Sequence, residues 1–174
     1  MPDNEELTED QKIQLLGADI KLHMSLVMSI GWIVGNVRPN LKFSHHILAK
    51  RLSAPRIWGM YVAVWVMDHL ILTKNWPLVL GDKTVDPEVF SDSSFATMKG
   101  RRIVASHCLR TGPLSGTIFA NVQTIKVAIK SLFEGETYGA SDGQDTSIYA
   151  RRVIEELKYP TEDSRKVFVD RHRS

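Results

Sequence analysis

An alternating apolar segment near the N-terminus most restricts what this chain can fold into. From Ile20 to Val34 every even-numbered residue is apolar, and most of the odd-numbered ones are polar or glycine. This period of two is typical of a β-strand that buries one face. The segment is longer than most strands, so we expect a bend or bulge, with Gly31 as its site. On this interpretation His23 lies on the polar, solvent-facing side of the strand.

Two helices are predicted after this strand. The first is short and capped by Ser44, and its apolar face consists of Phe43, Ile47, Leu48 and Leu52. The second covers the apolar stretch 57–67 and is predicted to be largely buried. Its aromatic residues are expected to lie in the core rather than to stack on nucleic-acid bases; they are Trp58, Tyr61 and Trp65.

The second half of the chain is predicted to combine a hairpin with further helices. Residues 73–100 show no clear periodicity and are predicted to form a long loop. Residues 101–111 and 114–123 alternate on either side of a Gly-Pro turn, which predicts a β-hairpin. The remaining predicted elements are a helix over 125–133, an exposed glycine-rich loop over 134–145, and a helix from a Thr146 cap to Pro160.

Composition and these elements together predict a small α+β domain, with helices packed on an antiparallel sheet. A chain of 174 residues that is 43% hydrophobic and 24% charged has the size and composition of one globular domain. Cys108 has no second cysteine to pair with, which excludes a disulfide-stapled scaffold. The predicted boundaries are an acidic flexible tail over 1–17, one domain over 18–160, and a charged tail over 161–174.

Charge segregation is the main functional signal. The net charge is only +2, but no acid occurs between Asp19 and Asp68 or between Asp92 and Glu134, and each stretch holds six basic residues. If both stretches share one side of the fold, they attract the phosphates of nucleic acid or of anionic lipid. The alternative is that these are solvated faces, whose charges pair with acids elsewhere. The candidate phosphate-binding residues are Arg38, Lys42, Lys50, Arg51, Arg56, Arg101, Arg102 and Arg110.

The histidines and the cysteine are the candidates for metal or catalytic chemistry. His45 and His46 would point about 100° apart on a helix, and the chain has no His-Glu-x-x-His pair. Adjacent strand residues such as His107 and Cys108 project to opposite faces, so they do not form a nucleophile–base pair. We therefore expect no catalytic residue, no metal and no cofactor. An enzyme would need a pocket in which His69 or His107 meets a carboxylate.

Trp76 differs from the other tryptophans because it stands beside Pro77 in a polar part of the predicted loop. A tryptophan in such a setting is suited to a partner groove or to a bilayer interface. We therefore expect Trp76 and Pro77 to serve in self-association or as a membrane anchor.

The order of these elements resembles the matrix proteins of the rhabdoviruses, in particular the plant-infecting, cytorhabdovirus-like members. The resemblance covers about residues 18–130 and includes the long strand and the turn Asn36-Val37-Arg38-Pro39. It also includes the segment Trp58-Gly59-Met60-Tyr61 and the strand Leu114–Val122, which contains Gly-Thr-Ile. The chain departs from the pattern in having no Pro-Pro-x-Tyr budding motif and in carrying an acidic N-terminal tail.

The resemblance implies a non-enzymatic protein that self-associates and bridges the viral nucleoprotein–RNA complex and anionic membrane during virion assembly. It implies no small-molecule substrate, and it places the protein in the virion, the host cytoplasm and the inner face of the membrane. The alternative is a small, basic-faced RNA-binding viral accessory protein, such as a silencing suppressor or a movement factor. Such a protein would bind RNA with a strong salt dependence and would be indifferent to lipid.

Overall fold

The computed structural model describes residues 8–79, 85–98, 102–112, 115–126, 131–159 and 166–169. Contacts divide the chain into two compact units, Met1–Pro77 and Leu78–Ser174, which we call the N-terminal unit and the C-terminal unit. The division at Pro77 falls inside the range 18–160 that was predicted as one domain. The predicted α+β class is confirmed, since helices and a mainly antiparallel sheet are both present and a helix packs on that sheet.

The described part of the N-terminal unit is helical. Its elements are α1 (Glu9–Lys12), α2 (Ala18–Asn36), a 3-10 turn (Pro39–Leu41), α3 (Lys42–Ala49) and α4 (Ile57–Leu72). The short helix and the helix from residue 57 that the sequence predicts are confirmed as α3 and α4. The predicted cap is wrong, because α3 begins at Lys42 and Ser44 therefore lies inside it.

Residues 13–15 are bound to the start of α4. The Leu15 amide donates to the Pro55 carbonyl and the Ile57 amide donates to the Ile13 carbonyl, each at 3.0 Å. The Leu15 side chain is buried. This portion of the predicted flexible tail 1–17 is therefore folded, and residues 1–7 lie outside the described residues.

The predicted strand over Ile20–Val34 is wrong, because this segment forms most of α2. The residues that α2 buries recur every three or four positions, as helical geometry requires; they are His23, Val27, Ile30 and Val34. Four of the apolar even positions that imitated a strand are exposed, namely Leu22, Met24, Met28 and Trp32. The alternating pattern predicted the wrong element because α2 carries apolar side chains on its solvent side as well as on its core side.

An apolar core cluster joins α2, α3 and α4. Its buried members are Val27, Ile30 and Val34 from α2, Leu48 from α3, and Ala63, Val66 and Leu70 from α4. Burying an aliphatic side chain of this size contributes roughly 1.5–3 kcal/mol. The cluster therefore stabilises the packing of the three helices, and it determines which side of each helix faces outward.

The described part of the C-terminal unit packs one helix on a four-stranded sheet. The elements are β1 (Glu88–Met98), β2 (Arg102–Arg110), β3 (Phe119–Thr124), α5 (Leu132–Glu156) and β4 (Lys166–Val169), and the strand order is β3-β2-β1-β4. The predicted hairpin is confirmed by the antiparallel pairing of β2 and β3. Two predictions are corrected, since β1 occupies part of the 73–100 loop and β4 lies in the 161–174 tail, parallel to β1.

A stripe of glycines brings α5 close to the sheet. Gly135, Gly139 and Gly143 recur every fourth residue, and a Cβ added at Gly143 would lie 3.0 Å from Val89 Cγ1. On the facing side of β1, Ser91 and Ser93 are small and buried. Glycine and serine, which suggested loops in both segments, instead occupy the places where the helix and the strand touch.

The beginning of α5 also differs from the prediction. Its N-cap is Ser131, whose hydroxyl accepts a hydrogen bond from the Glu134 amide at 3.2 Å. Thr146, the predicted cap, lies in the middle of the helix. The predicted loop over 134–145 is helical throughout, and residues 127–130 of the predicted helix over 125–133 are outside the described residues.

Candidate functional site

Two of the predicted phosphate-binding arginines make contacts within their own unit of the chain. Arg38 Nη1 donates to the Thr73 carbonyl at 3.2 Å and to Thr73 Oγ1 at 2.9 Å, immediately after the end of α4. Arg110 Nε lies 2.7 Å from Glu88 Oε2, and its guanidinium stands 4.6 Å from the centre of the Phe90 ring. Arg110 is thus paired with an acid, as the alternative of paired charges expected, whereas the partners of Arg38 are uncharged.

The other basic candidates are divided between the two units. Lys42 is half-buried at the start of α3, and Lys50 is exposed at its end. Arg102 lies at the beginning of β2 opposite Met98. The side chain of Arg102 and the whole of Arg101 fall outside the described part of the structure. The first acid-free stretch belongs to the N-terminal unit and the second to the C-terminal unit.

Arg51 and Arg56 are brought together at a small cavity of about 10 Å³, the size of one water molecule. The cavity lies at the start of α4, and its lining also includes His23, Trp58 and Gly59. The guanidinium of Arg51 stands 5.0 Å from the centre of the Trp58 ring, a cation–π arrangement. These two predicted residues therefore share one site in the structure.

His23 also lines this cavity, and the prediction of its environment is wrong. The prediction put it on a solvent-facing side, but its exposed fraction is 0% and neither ring nitrogen has a hydrogen-bond partner of good geometry. Burial lowers the pKa of His23, an effect that the nearby backbone of Gly59 only partly opposes. A Cβ at position 59 would lie 3.1 Å from His23 Nε2, so glycine is what admits the ring.

The solvent side of α4 is an unusually apolar surface. Successive helix residues are about 100° apart. This angle identifies the residues on the side of α4 opposite the buried Ala63, Val66 and Leu70. That side carries Tyr61, Val64, Trp65, Ile71 and Leu72, which we call the α4 outer face. Trp65 is 65% exposed and Leu72 is 82% exposed. The prediction that Tyr61 and Trp65 lie in the core is wrong, whereas Trp58 is half-buried.

A second apolar surface lies on α2. Met24, Met28 and Trp32 recur every fourth residue and are exposed, and Lys21 falls on the same side; we call these four residues the α2 outer face. Both helices turn their buried sides toward the same core cluster. The α2 outer face and the α4 outer face therefore point away from each other.

Trp76 follows α4 and is 68% exposed, as the sequence predicted, and Pro77 beside it is exposed as well. The Trp76 amide donates to the Thr73 carbonyl at 3.0 Å, which continues the turn that ends α4. Trp76 is therefore an exposed aromatic side chain outside the α4 outer face, at the end of the N-terminal unit.

His107 forms a polar cluster with α5. Its Nδ1 lies 3.1 Å from Asp142 Oδ2, and its Nε2 lies 2.9 Å from Thr146 Oγ1. An ionised carboxylate only accepts hydrogen bonds, so the proton on Nδ1 faces Asp142. The single hydroxyl proton of Thr146 is shared between two acceptors, His107 Nε2 and the Asp142 carbonyl 3.2 Å away. The same carboxylate oxygen accepts from Gln123 Nε2 at 3.0 Å. The cluster therefore ties α5 to β2 and β3.

This order of hydroxyl, imidazole and carboxylate is that of a nucleophile triad. Thr146, however, lies inside a 25-residue helix, whose interior amides are bonded to carbonyls four residues earlier. Those amides are not available as oxyanion donors next to the hydroxyl. His69, the other histidine that an enzyme would need, stacks on Trp65 at 6.2 Å between ring centres. The described contacts of the His107 cluster are those that pack α5 on the sheet.

The described residues contain no group of three or more histidine, cysteine, aspartate or glutamate side chains placed to hold a metal ion. None of the helices in the described ranges is both long and apolar enough to cross a membrane.

Comparison with known proteins found no matching family model, no similar curated protein and no similar solved structure. The resemblance to rhabdovirus matrix proteins has lost one of its features, since the long strand over Ile20–Val34 is a helix. The function is therefore argued from the surfaces themselves.

Proposed function

We propose that the protein is a non-enzymatic structural protein of the matrix type, which self-associates and attaches to a phosphate-rich surface. The observation that supports the proposal is the α4 outer face. Helix α4 is apolar on nearly every side, a composition that belongs to a buried helix, yet one whole side of it is open to solvent. Apolar surface of this extent marks an interaction site.

A second copy of the chain is the partner that best fits the α4 outer face. Asp68 is exposed among its apolar residues, and a carboxylate is costly against lipid hydrocarbon. Another protein can pair that carboxylate with a cation, and the acid-free stretch of a second copy offers several. Tyrosine and tryptophan, which this face exposes at 61 and 65, are residue types enriched at the energetic centres of protein interfaces.

The α2 outer face fits an anionic membrane surface better. It combines a lysine with a tryptophan and two methionines and holds no carboxylate. Tryptophan favours the headgroup region of a bilayer, and each basic residue near an anionic leaflet contributes about 1 kcal/mol. Because the two outer faces point away from each other, one copy can contact a neighbour and a membrane at the same time. That is the bridging role of a matrix protein.

Sedimentation velocity at rising protein concentration tests self-association. The wild type is expected to form larger species as its concentration rises, while Trp65→Ser stays monomeric because it removes the central aromatic of the α4 outer face. Trp76→Ser is the comparison variant, since it removes an equally exposed tryptophan from outside that face. The sequence predicted Trp76 as a self-association residue or a membrane anchor; the proposal gives self-association to the α4 outer face instead, so this variant is expected to associate like the wild type.

Two results would contradict the proposal: a wild type that is monomeric at every concentration, or a Trp76→Ser variant that dissociates while Trp65→Ser does not. Both substitutions are on the surface, so the free energy of unfolding is expected to change by no more than about 0.5 kcal/mol. Circular dichroism melts of the two variants check this point. Tight RNA binding by a monomer that ignores lipid would instead support the RNA-binding alternative.

A further inference from the structure

We propose that the sheet of the C-terminal unit binds single-stranded RNA, one base of which stacks on the exposed ring of Phe168. The inference rests on the proposed function in one respect, because it names RNA as a phosphate-rich partner of the protein. The α2 outer face and the α4 outer face belong to the N-terminal unit. The RNA surface is therefore separate in the sequence from the surfaces assigned to a membrane and to a second copy.

The side of the sheet that faces away from α5 carries two neighbouring phenylalanines. Successive side chains of a strand point to opposite sides of the sheet, and Val89 and Ser91 of β1 lie against Gly143 of α5. Phe90, between them, therefore points to the side that α5 does not cover. Phe168 of β4 is its partner in register and stacks on its ring, with 4.8 Å between the ring centres and 11° between the ring planes.

Three planar groups form one stack on this side. The Arg110 guanidinium stands 4.6 Å from the centre of the Phe90 ring, and two groups stacked this closely cannot share one face of a ring. Phe90 therefore lies between Arg110 and Phe168. Among the described strands β4 is at an edge of the sheet, and Phe168 is 44% exposed. The stack thus ends in an aromatic ring that is open to solvent.

A nucleobase is a planar group that fits the open end of this stack. Bases of single-stranded RNA stack on aromatic side chains with little dependence on sequence. A four-stranded sheet with exposed aromatic rings is one of the surfaces that proteins use for this purpose. The ring by itself would also accept an aromatic side chain of another protein, so the charges around it decide between the two partners.

The charges near β4 favour RNA. Strands β2, β3 and β4 contain no acid, and the sequence from 165 to 173, which includes Phe168, holds four basic residues and one acid. Basic residues interleaved with an aromatic are typical of a segment that follows a phosphate backbone. Arg110 is not counted among the phosphate contacts, because it is paired with Glu88 at 2.7 Å.

The remaining acid and the buried valines define where on the sheet the RNA lies. Asp92 is exposed on the same side as Phe90, beyond the last residue of β1 that pairs with β4. Val104 and Val122 also belong to this side by their register, but both are buried. The accessible and least acidic part of the side is therefore the part next to β4.

Fluorescence anisotropy with a labelled single-stranded oligoribonucleotide tests the proposal. The parent is the Trp65→Ser variant, so that self-association does not alter the signal. Phe168→Leu removes the ring but keeps an apolar side chain in β4, and it is expected to weaken the affinity at least about fivefold, as the loss of one stacked base does. Phe168→Tyr keeps a stacking ring and is expected to stay within about twofold of the parent.

Two controls separate stacking from charge and from a general effect of losing an aromatic. Phe133→Leu is the matched variant, since Phe133 is 76% exposed on α5, the helix that covers the other side of the sheet; its affinity is expected to equal that of the parent. The second control is an oligomer of the same sugar–phosphate backbone without bases. The parent and Phe168→Leu are expected to bind it with equal affinity, because it has no base to stack.

The dependence of the affinity on salt gives a further readout. Stacking releases no counterions, so Phe168→Leu is expected to lower the affinity without changing the slope of its logarithm against the logarithm of the salt concentration. Asp92→Asn is expected to raise the affinity, and to do so most at low salt, because it removes the exposed acid nearest to the stack.

The proposal is overturned if the oligoribonucleotide does not bind, if Phe168→Leu binds it as tightly as the parent, or if Phe133→Leu weakens binding equally. It is also overturned if the baseless backbone shows the same dependence on position 168. Vesicles of anionic lipid are tested on the same variants. Vesicle binding that requires the ring, together with RNA binding that does not, would assign Phe168 to a membrane and reject the RNA site.

The two proposals fail in different ways. If the inference alone is wrong, the wild type still self-associates, but its affinity for RNA does not depend on Phe168. If the function alone is wrong, RNA binding requires Phe168 while the wild type remains monomeric at every concentration.

Discussion

Buried histidines link the stability of this protein to pH. Burial lowers the pKa of His23, and it lowers the pKa of His107 more strongly than the Asp142 carboxylate raises it. A histidine whose folded pKa lies below its unfolded value of about 6.5 binds fewer protons when folded. Folding therefore favours the neutral form of the imidazole. The free energy of unfolding is highest above pH 6.5 and decreases as the pH falls below that value.

We expect the free energy of unfolding, measured in urea, to decrease between pH 7.5 and pH 5.5. Each histidine that is held neutral contributes a slope of up to about 1.4 kcal/mol per pH unit below 6.5. His107→Gln is expected to be less stable at pH 7.5 and to show a shallower decrease. Equal stability of the wild type at the two pH values would contradict the burial of these imidazoles.

Arg38 and Arg51 show how two arginines with similar sequence surroundings come to make different contacts. Both lie in the same acid-free stretch, and the sequence predicted the same role for them. Arg38 is distinguished by Thr73, which lies 35 positions further along the chain and meets it only after folding. Arg51 is distinguished by its approach to the Trp58 ring and to the cavity. Such differences come from tertiary contacts and are not visible in a local pattern.

At the scale of elements, the contact between α5 and the sheet depends on glycine. Gly143→Leu would force side-chain atoms into Val89 Cγ1, already 3.0 Å from an added Cβ, and overpacking of this kind costs about 1–3 kcal/mol. Gly35→Leu is the matched control, because nothing lies within 4 Å of its added Cβ in α2. The control is expected to gain about 0.5–1 kcal/mol from helix propensity.

Thermal denaturation followed by circular dichroism separates these two variants. The expected result is a lower Tm for Gly143→Leu and an unchanged or higher Tm for Gly35→Leu. If the two Tm values move equally, the close approach of α5 to β1 is not what the glycine provides.

The elements that the sequence predicted correctly are those whose hydrophobic pattern reflects their burial. Helices α3 and α4 and the hairpin of β2 and β3 belong to this group. The failures are α2, where exposed methionines imitated a strand, and β1 with α5, where serine and glycine imitated loops. In each failure, the residue types serve an exposed surface or a close contact between elements. The local sequence pattern therefore predicts the wrong secondary structure.

At the scale of the whole chain, the surfaces described above were predictable in part. The acid-free stretches singled out Arg51 and Arg56, which line one small cavity in the structure, and the setting of Trp76 correctly indicated exposure. His23 could not have been found, because its burial follows from a helix that the alternation concealed. The α4 outer face could not have been found either, since an apolar helix is expected to be buried on all sides.

Thiol labelling at positions 64 and 28 tests most directly whether the two outer faces have different partners. Val64→Cys and Met28→Cys are each made in a Cys108→Ser background, and the rate of maleimide modification is measured at low and high protein concentration, with and without anionic vesicles. We predict that the thiol at 64 reacts more slowly as the protein concentration rises, and that the thiol at 28 is protected by vesicles alone. If the thiol at 64 reacts equally fast at concentrations where the protein is oligomeric, the α4 outer face is not the surface that joins the copies.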